Sequence, residues 1–286
     1  MLKKYKFGEY ETVHYFRPGK NLDDVSLKRL HTSLVKTNEQ SGSNIVNKML
    51  DKTLPLEKIR EYLGNTIIGL SLKNNEVYGF LISPILKTEK KLVFHGGLII
   101  IGQNPGVNFV SLLASGNLLM AYEKLGSFYT TNISSTPSIV ESFSTLIPGS
   151  WPSPDGSQKT PPKGFREVVK ILKEEYMDKY FPDSEKLSVD YKRFVLTSNS
   201  QEMGFTTDFY KISRADKFKY NLFCHTWINY EKEEDLVQVA RMNLLKYIRA
   251  RFIFYLLKSQ LKKRAKKESA HKIQDRHDQV EKKKAA

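Results

Sequence analysis

A turn between an apolar strand and a helix carries the clearest chemical signal in the sequence. The apolar run Leu98 to Ile101 stops at Gly102, and residues 102–108 contain two glycines, one proline and no charged side chain. A helical pattern rich in small residues follows, up to Gly126. A turn that opens a helix presents unpaired backbone N–H groups at the positive end of the helix dipole, and these bind phosphate without Lys or Arg. The turn therefore predicts an anion site built from main-chain donors.

Two common phosphate motifs are excluded by their spacing. A P-loop needs G-x-x-x-x-G-K-[ST], but Gly102 and Gly106 lie four apart and no Lys follows. The dinucleotide fingerprint G-x-G-x-x-G is absent too, and the strands before the turn read as hairpins, not as a βαβ unit. The sequence contains no G-x-S-x-G nucleophile motif, and its six His and one Cys show no metal-ligand spacing. No metal site is expected.

The elements that position the turn are predicted from apolar periodicity and from Gly and Pro breaks. Before and after the turn, strands are expected within "ETVHYF", "NTIIGLSL", "EVYGFLISPIL", "LVFHGGLIII" and "SFYTTNIS". Helices are expected within "NLDDVSLKRLHTSLVKTN", where Asn21 or Asp23 is the N-cap, and within "PLEKIREYLG", "STPSIVESFSTL" and "FREVVKILKEEYMDKYF". Later strands are predicted within "KRFVLTS", "DFYKISR" and "KYNLFCHTWINY", and a helix from Glu231 to about Leu261.

The composition is that of a folded protein with unevenly placed charge. The 286 residues are 40% hydrophobic, and the single cysteine, Cys224, excludes an internal disulfide framework. From Lys258 to Lys284, eleven Lys and Arg stand against four Asp and Glu, a surplus of +7 out of a net charge of +15. Such a tail attracts polyanions, although a solvated helix or frayed end is the simpler interpretation.

The turn and its surroundings resemble the GNAT superfamily of acyl-CoA acyltransferases, whose cofactor loop reads [QR]-x-x-G-x-[GA]. Gln103 and Gly106 match the pattern, and Asn108 stands where the family has a small residue. The order of predicted elements over residues 11–145 also follows the family. The resemblance implies an α/β fold with a central mixed, mostly antiparallel sheet flanked by helices, together with a Pro-rich insertion and a long basic C-terminal helix.

The resemblance also implies a division of the chain. Residues 1–146 form the GNAT-like core with the cofactor loop, and residues 147–189 form a Pro-rich loop and helical insertion. Residues 190–257 supply the terminal strands and helix, and residues 258–286 form the basic tail. The Pro-rich segment from Ile147 to Gly164 is either a linker or a lid over a cleft.

The cofactor implied by the resemblance is acetyl-CoA or another acyl-CoA. Its pantetheine arm would lie in a gap between two parallel strands, Leu92 to Ile101 and Phe128 to Ile133, which splay at their C-terminal ends. The residues implied to contact the cofactor are Leu98, Ile99 and Ile100 for the pantetheine, and Gln103, Asn104, Gly106, Val107 and Asn108 for the pyrophosphate.

Three residues are candidates for the chemistry. Asn132 matches an Asn that such proteins often carry at the end of the strand after the long helix. His95 lies before Gly96, at a position where the acyltransferases that this chain resembles often have a base or water-organising residue, and an unperturbed imidazole pKa near 6.5 suits that role. A hydrogen-bonded structural His is the alternative. The Tyr that acts as general acid in the family is missing from its helix. Three alternatives follow: Tyr129 is another proton source, the enzyme is weakly active, or the protein binds its ligand without catalysis.

The predicted function is acyl transfer from a CoA thioester to the amine of a small molecule or peptide, by direct attack. The alternative is a non-catalytic nucleic-acid or ribosome-associated module that uses the basic tail at residues 258–286. The aromatic residues Phe252, Phe254 and Tyr255 lie among cations and could form a nucleic-acid platform, although core packing explains them more simply. The longest membrane candidate is interrupted by Lys246, Arg249 and Arg251, so no membrane span and a cytoplasmic location are expected.

Overall fold

The computed structural model describes residues 2–7, 10–41, 47–101, 109–155, 160–181, 184–197 and 212–263. The strands in this part of the chain are β1 Leu2–Phe7, β2 Tyr10–Phe16, β3 Thr66–Lys73, β4 Glu76–Lys87, β5 Leu92–His95, β6 Leu98–Ile101, β7 Phe128–Ser134, β8 Ser188–Asp190, β9 Val195–Thr197 and β10 Glu234–Met242. They form one sheet in the order β1-β2-β3-β4-β5-β7-β10-β9-β8, with β6 pairing β4.

The helices lie on both faces of this sheet. They are α1 Pro18–Asn21, α2 Asp24–Ser41, α3 Leu56–Leu63, α4 Phe109–Leu125, α5 Pro137–Leu146, α6 Phe165–Leu172, α7 Asp178–Tyr180, α8 Phe218–Trp227 and α9, residues 244–263. A π-helical segment, Lys173–Met177, joins α6 to α7, and short 3-10 helices occupy Lys48–Leu50, Ser184–Lys186 and Tyr230–Lys232. None of the helices described is long and apolar enough to cross a bilayer.

The sheet is antiparallel apart from one parallel pair, β5 with β7. One apolar cluster packs α2, α3 and α6 on one face, with Leu34, Leu63 and Val168 at its centre. A second cluster packs α4 and α9 on the other face, with Leu112 and Phe254 among its members. The predicted fold class, an α/β protein with a mostly antiparallel sheet flanked by helices, is confirmed.

The first half of the chain follows its sequence pattern closely. The Asp23 carboxylate accepts a 2.8 Å hydrogen bond from the Ser26 N–H, so the predicted N-cap of α2 is present. Residues 66–71 of β3 are buried on both faces because helices cover both sides of the sheet. The N-terminal strand β1 was not predicted, and it lengthens one edge of the sheet by pairing with β2.

Two predictions for the last third of the chain are wrong. The segment "KYNLFCHTWINY" contains the helix α8 instead of a strand, because Tyr220 and Cys224, one helical turn apart, pack into a cluster with Ile228. The segment predicted as one helix from Glu231 contains the strand β10 in its first part, and β10 lies between β7 and β9 in the sheet. Most of β10 is buried, so it lacks the alternation that marks a half-exposed strand.

The strand predicted within "DFYKISR" falls mostly outside the described residues, and the four-part division of the chain stays a prediction.

Candidate functional site

β5 and β6 are one strand interrupted by a bulge. Ile85 of β4 pairs with Phe94, whereas Ile82 pairs with Leu98, so two residues of β4 lie opposite three residues of the neighbouring strand. Gly97 occupies the bulge with φ of 82°, and a Cβ there would lie 1.8 Å from the Ile82 carbonyl oxygen. This position therefore requires glycine, both for its backbone angle and for its contact with β4.

The bulge is where β6 and β7 part. β5 pairs with β7 in parallel up to His95 and Thr131, and the Gly96 N–H donates a 2.7 Å hydrogen bond to the Thr131 carbonyl. Beyond the bulge, β6 pairs with β4 alone, and no backbone hydrogen bond joins β6 to β7 within the described residues. A wedge therefore opens between the C-terminal ends of these strands, where the resemblance implies one.

One main-chain unit of β6 faces the wedge. Successive residues of a strand direct their N–H and C=O groups to opposite neighbours. In β4, the Ile85 N–H points away from β6, because it donates a 2.7 Å hydrogen bond to the Asn65 carbonyl. By this alternation, Leu98 and Ile100 use their main-chain groups to bond β4. The N–H and C=O of Ile99 then face the wedge.

A matching unit of β7 faces it from the other side. Val239 of β10 exchanges two backbone hydrogen bonds with Trp151, so its neighbour Gln238 turns its main chain toward β7 and Asn132. The alternation leaves the N–H and C=O of Ile133 directed at the wedge. Both β6 and β7 thus present a main-chain donor and acceptor to a ligand in the wedge.

The Asn132 side chain marks the apex of the wedge. Its Oδ1 lies 3.6 Å from the place that a Cβ on Gly96 would take. Its Nδ2 donates a 3.3 Å hydrogen bond to Oε1 of Gln238, whose Nε2 in turn donates to Oγ of Ser144 at 3.0 Å. Since Gln238 is fully buried, this chain of bonds fixes the amide of Asn132 with its oxygen toward the apex.

His95 lies beside the apex on the opposite face of the sheet. Its Nδ1 is 2.9 Å from Oγ1 of Thr131, and its ring contacts the Tyr176 ring with 4.6 Å between centroids. Burial lowers the pKa of His95 to about 3, so the unperturbed pKa expected from the sequence is wrong. His95 is a neutral imidazole at pH 7, covered by the π-helical segment. Its catalytic role stays a prediction.

A buried polar network supports the bulge from the α4 side. Nδ1 of His14 lies 2.8 Å from Oδ1 of Asn117, and Nδ2 of Asn117 donates to Oγ of Ser83 at 3.1 Å. Ser83 Oγ then donates to the Gly96 carbonyl at 3.1 Å. Burial lowers the pKa of His14 to about 4, so this histidine is also neutral at pH 7.

Acidification is expected to destabilise the protein through these two histidines. Their pKa values in the folded state lie below the unfolded value of about 6.5, so the unfolded state binds more protons between those limits. The stabilisation is complete above pH 6.5 and is lost as the pH falls toward 4, at up to about 1.4 kcal/mol per pH unit for each histidine. Urea unfolding at pH 7, 6 and 5 measures this loss.

The contribution of His95 is separated by substitution. His95→Gln is expected to flatten the dependence of unfolding free energy on pH, because it removes one of the two buried histidines with lowered pKa values. Equal slopes for wild type and His95→Gln would contradict the assignment of a buried neutral His95.

Tyr129 lies away from the wedge. It begins the parallel pairing with Val93, three residues before Asn132, and its ring contacts Phe165 and, at 5.2 Å, the Lys91 Nζ. It lines an open cleft of about 880 Å³ whose other lining residues are Lys91, Lys163, Gly164, Arg166, Glu167, Lys170 and Tyr191. The described structure therefore does not bring Tyr129 together with His95 and Asn132.

Solved structures of GNAT acetyltransferases match parts of this chain. A GNAT-family acetyltransferase from Streptococcus pneumoniae is 15% identical, with a TM-score of 0.33 over 49% of this chain and 87% of that one. An acetyltransferase from Salmonella typhimurium that modifies the N-terminal serine of the 50S ribosomal subunit protein L7/L12 is also 15% identical, with a TM-score of 0.24 over 42% and 70%. The ribosomal L7/L12 alpha-N-protein acetyltransferase RimL, in its apo form, is 17% identical, with a TM-score of 0.26 over 46% and 72%.

No family model matches the chain, and no curated protein matches it. Because the structural overlaps are partial and weak, no residue role is carried over from these proteins, and the site stands on the geometry of this chain.

Part of the predicted site lies outside the described residues. Gln103, Asn104, Gly106, Val107 and Asn108, the predicted pyrophosphate contacts, all fall there, as do residues 264–286 of the basic tail. The contribution of Gln238 was missed by sequence reasoning. Its partner Asn132 is 106 residues away, and no local pattern links the two.

Proposed function

We propose that this protein is an acyl-CoA-dependent N-acyltransferase, with acetyl-CoA as the simplest donor. One observation carries the proposal: β6 and β7 diverge at the Gly97 bulge and leave the main chains of Ile99 and Ile133 facing each other across a wedge. A pantetheine arm is extended and contains two amides, so it fits between strand edges as a short strand would. The bound thioester would supply the activated acyl group.

The residues of the wedge would each have a separate task. Ile99 and Ile133 would hold the pantetheine amides through main-chain hydrogen bonds. Asn132, whose oxygen is fixed at the apex by Gln238, would accept a hydrogen bond from the incoming amine and orient its lone pair toward the carbonyl. The turn at residues 102–108 remains the predicted pyrophosphate site.

The proton lost by the amine requires an acceptor other than His95 acting alone. With a pKa of about 3, the imidazole of His95 is a weak base toward an ammonium group. We infer that water carries this proton out of the wedge, and that His95 and Thr131 hold the strand geometry at the apex. In the balanced reaction a C–N bond forms, the C–S bond breaks, and CoA leaves as its thiol.

Ligand-dependent unfolding tests the proposal. CoA at a hundred times its dissociation constant is expected to raise the free energy of unfolding by roughly 2.7 kcal/mol, and acetyl-CoA with a mixture of peptide and small-molecule amines is expected to release free thiol. ATP is the matched control, because it carries the adenosine phosphates without pantetheine, and we expect a smaller shift. If CoA and ATP shift unfolding equally, or neither does, the wedge does not bind pantetheine.

A further inference from the structure

The outer face of α9 carries a continuous apolar stripe exposed to solvent. Its members are Leu244 at 58% exposed, Leu245 at 77%, Ile248 at 55%, Phe252 at 62%, Tyr255 at 67% and Leu256 at 44%. The simpler sequence interpretation, that core packing explains the aromatic residues here, is wrong for Phe252 and Tyr255, although it holds for Phe254, which is buried. Helices normally point only one apolar face at the core and keep the opposite face polar.

The stripe is directly opposite the face that packs on the sheet. Ala250 and Phe254 belong to the buried cluster on the α4 side. At about 100° per residue, Ile248 and Phe252 point about 160° away from Ala250, on either side of the outermost line of the helix. Arg251 and Arg249 fall on the two margins of the stripe by the same count. The helix is therefore apolar on two opposite faces, with cations along the borders.

The charge of this helix is of one sign only. Residues 244–263 contain six cations, Lys246, Arg249, Arg251, Lys258, Lys262 and Lys263, and no Asp or Glu. The whole chain has a net charge of +15. A second copy of the chain would bring the same positive helix against this one, so self-association through the stripe is opposed by repulsion. The occupant of this face must be apolar and negatively charged.

We propose that α9 docks this protein on an anionic lipid surface. A helix with a cation-bordered apolar face, including Leu, Ile and Phe, lies in the plane of a bilayer interface with its apolar side chains among the acyl chains. The bordering Arg249 and Arg251 then lie at the depth of the headgroups, where each adds attraction to acidic lipids. A nucleic acid matches the charge but offers no partner for the aliphatic side chains at the centre of the stripe.

This binding is independent of the acyltransferase proposal, because α9 supplies no residue of the wedge. It places the protein at a membrane surface through a helix that lies in the plane of the interface.

Vesicle flotation with the full-length protein tests the proposal. The protein is expected to float with vesicles of phosphatidylcholine containing about a third phosphatidylglycerol, and to bind vesicles of phosphatidylcholine alone at least tenfold more weakly. Binding to the anionic vesicles is expected to weaken as salt rises, because the cation contribution is screened. The double variant Ile248→Ser with Phe252→Ser is expected to reduce that binding at least tenfold without changing the net charge.

The matched control is a second exposed apolar pair, one helical turn apart, on α8. Phe218 is 76% exposed and Leu222 is 53% exposed, so Phe218→Ser with Leu222→Ser removes similar surface elsewhere. This control is expected to float as the wild type does, and near-native unfolding transitions show that both variants fold. The proposal is overturned if the protein does not float with anionic vesicles, or if both double variants lose vesicle binding equally. Binding of an RNA oligonucleotide or a concentration-dependent dimer, lost with Ile248→Ser and Phe252→Ser while vesicles are ignored, assigns the stripe to that partner instead.

Discussion

Replacing Gly97 by alanine is expected to lower the free energy of unfolding by roughly 3 kcal/mol or more. The residue has φ of 82°, which strains any side chain by about 1–3 kcal/mol, and the new Cβ would lie 1.8 Å from the Ile82 carbonyl oxygen. That oxygen belongs to the backbone of a central strand, so it cannot move aside without disturbing the β4 pairing. Urea unfolding at pH 7 measures the loss.

Gly126 provides the matched control for this substitution. Its φ is 73°, close to that of Gly97, but a Cβ there would meet nothing within 4 Å. Gly126→Ala therefore tests backbone strain alone, and the difference between the two variants isolates the clash with β4. Equal destabilisation by Gly97→Ala and Gly126→Ala would mean that the bulge is not closed on β4 as described.

Replacing Asn132 by alanine is expected to lower kcat/KM for acyl transfer by roughly 10- to 100-fold. The substitution removes the Oδ1 acceptor of Asn132 at the apex, and a hydrogen bond that aligns the reacting amine contributes about 1.5–3 kcal/mol. The side chain is partly exposed, so its loss leaves no large buried cavity. Release of the CoA thiol, followed as the amine concentration is varied at saturating acetyl-CoA, measures kcat/KM.

Tyr129→Phe separates this effect from general damage to β7. The Tyr129 hydroxyl lies in the cleft beside Gly164, at the start of the strand, so its removal is expected to change kcat/KM less than twofold. A large loss in Tyr129→Phe together with retained activity in Asn132→Ala would move the chemistry from the wedge to the cleft.

The elements around the wedge were predictable from the sequence because their signals are local. Gly64 after α3, the polar turn before Glu76 and the Pro137 start of α5 each set a boundary without help from distant residues. The family resemblance implies that the parallel strands part at their C-terminal ends. These signals do not depend on which residues pack above the sheet.

The rest of the site depends on contacts between residues far apart in the chain. Gln238 reaches Asn132 only because β10 inserts beside β7, and the sequence alone favoured a helix there. Tyr176 covers His95 because the π-helical segment packs on the sheet about 80 residues further along the chain, so neither the burial of His95 nor its lowered pKa was evident from its neighbours. The orientation of α9 also depends on distant contacts. Periodicity identifies the apolar faces of this helix but not which of them packs on the sheet.

Residue-resolved amide hydrogen exchange with and without saturating acetyl-CoA tests the central claim most directly. If the wedge holds the pantetheine arm, the N–H groups of Ile99 and Ile133 should exchange at least tenfold more slowly with the ligand, whereas those of Leu98 and Ile100, already bonded to β4, should change much less. Unchanged exchange at both Ile99 and Ile133, while acetyl-CoA binds and protects amides elsewhere, would contradict the account.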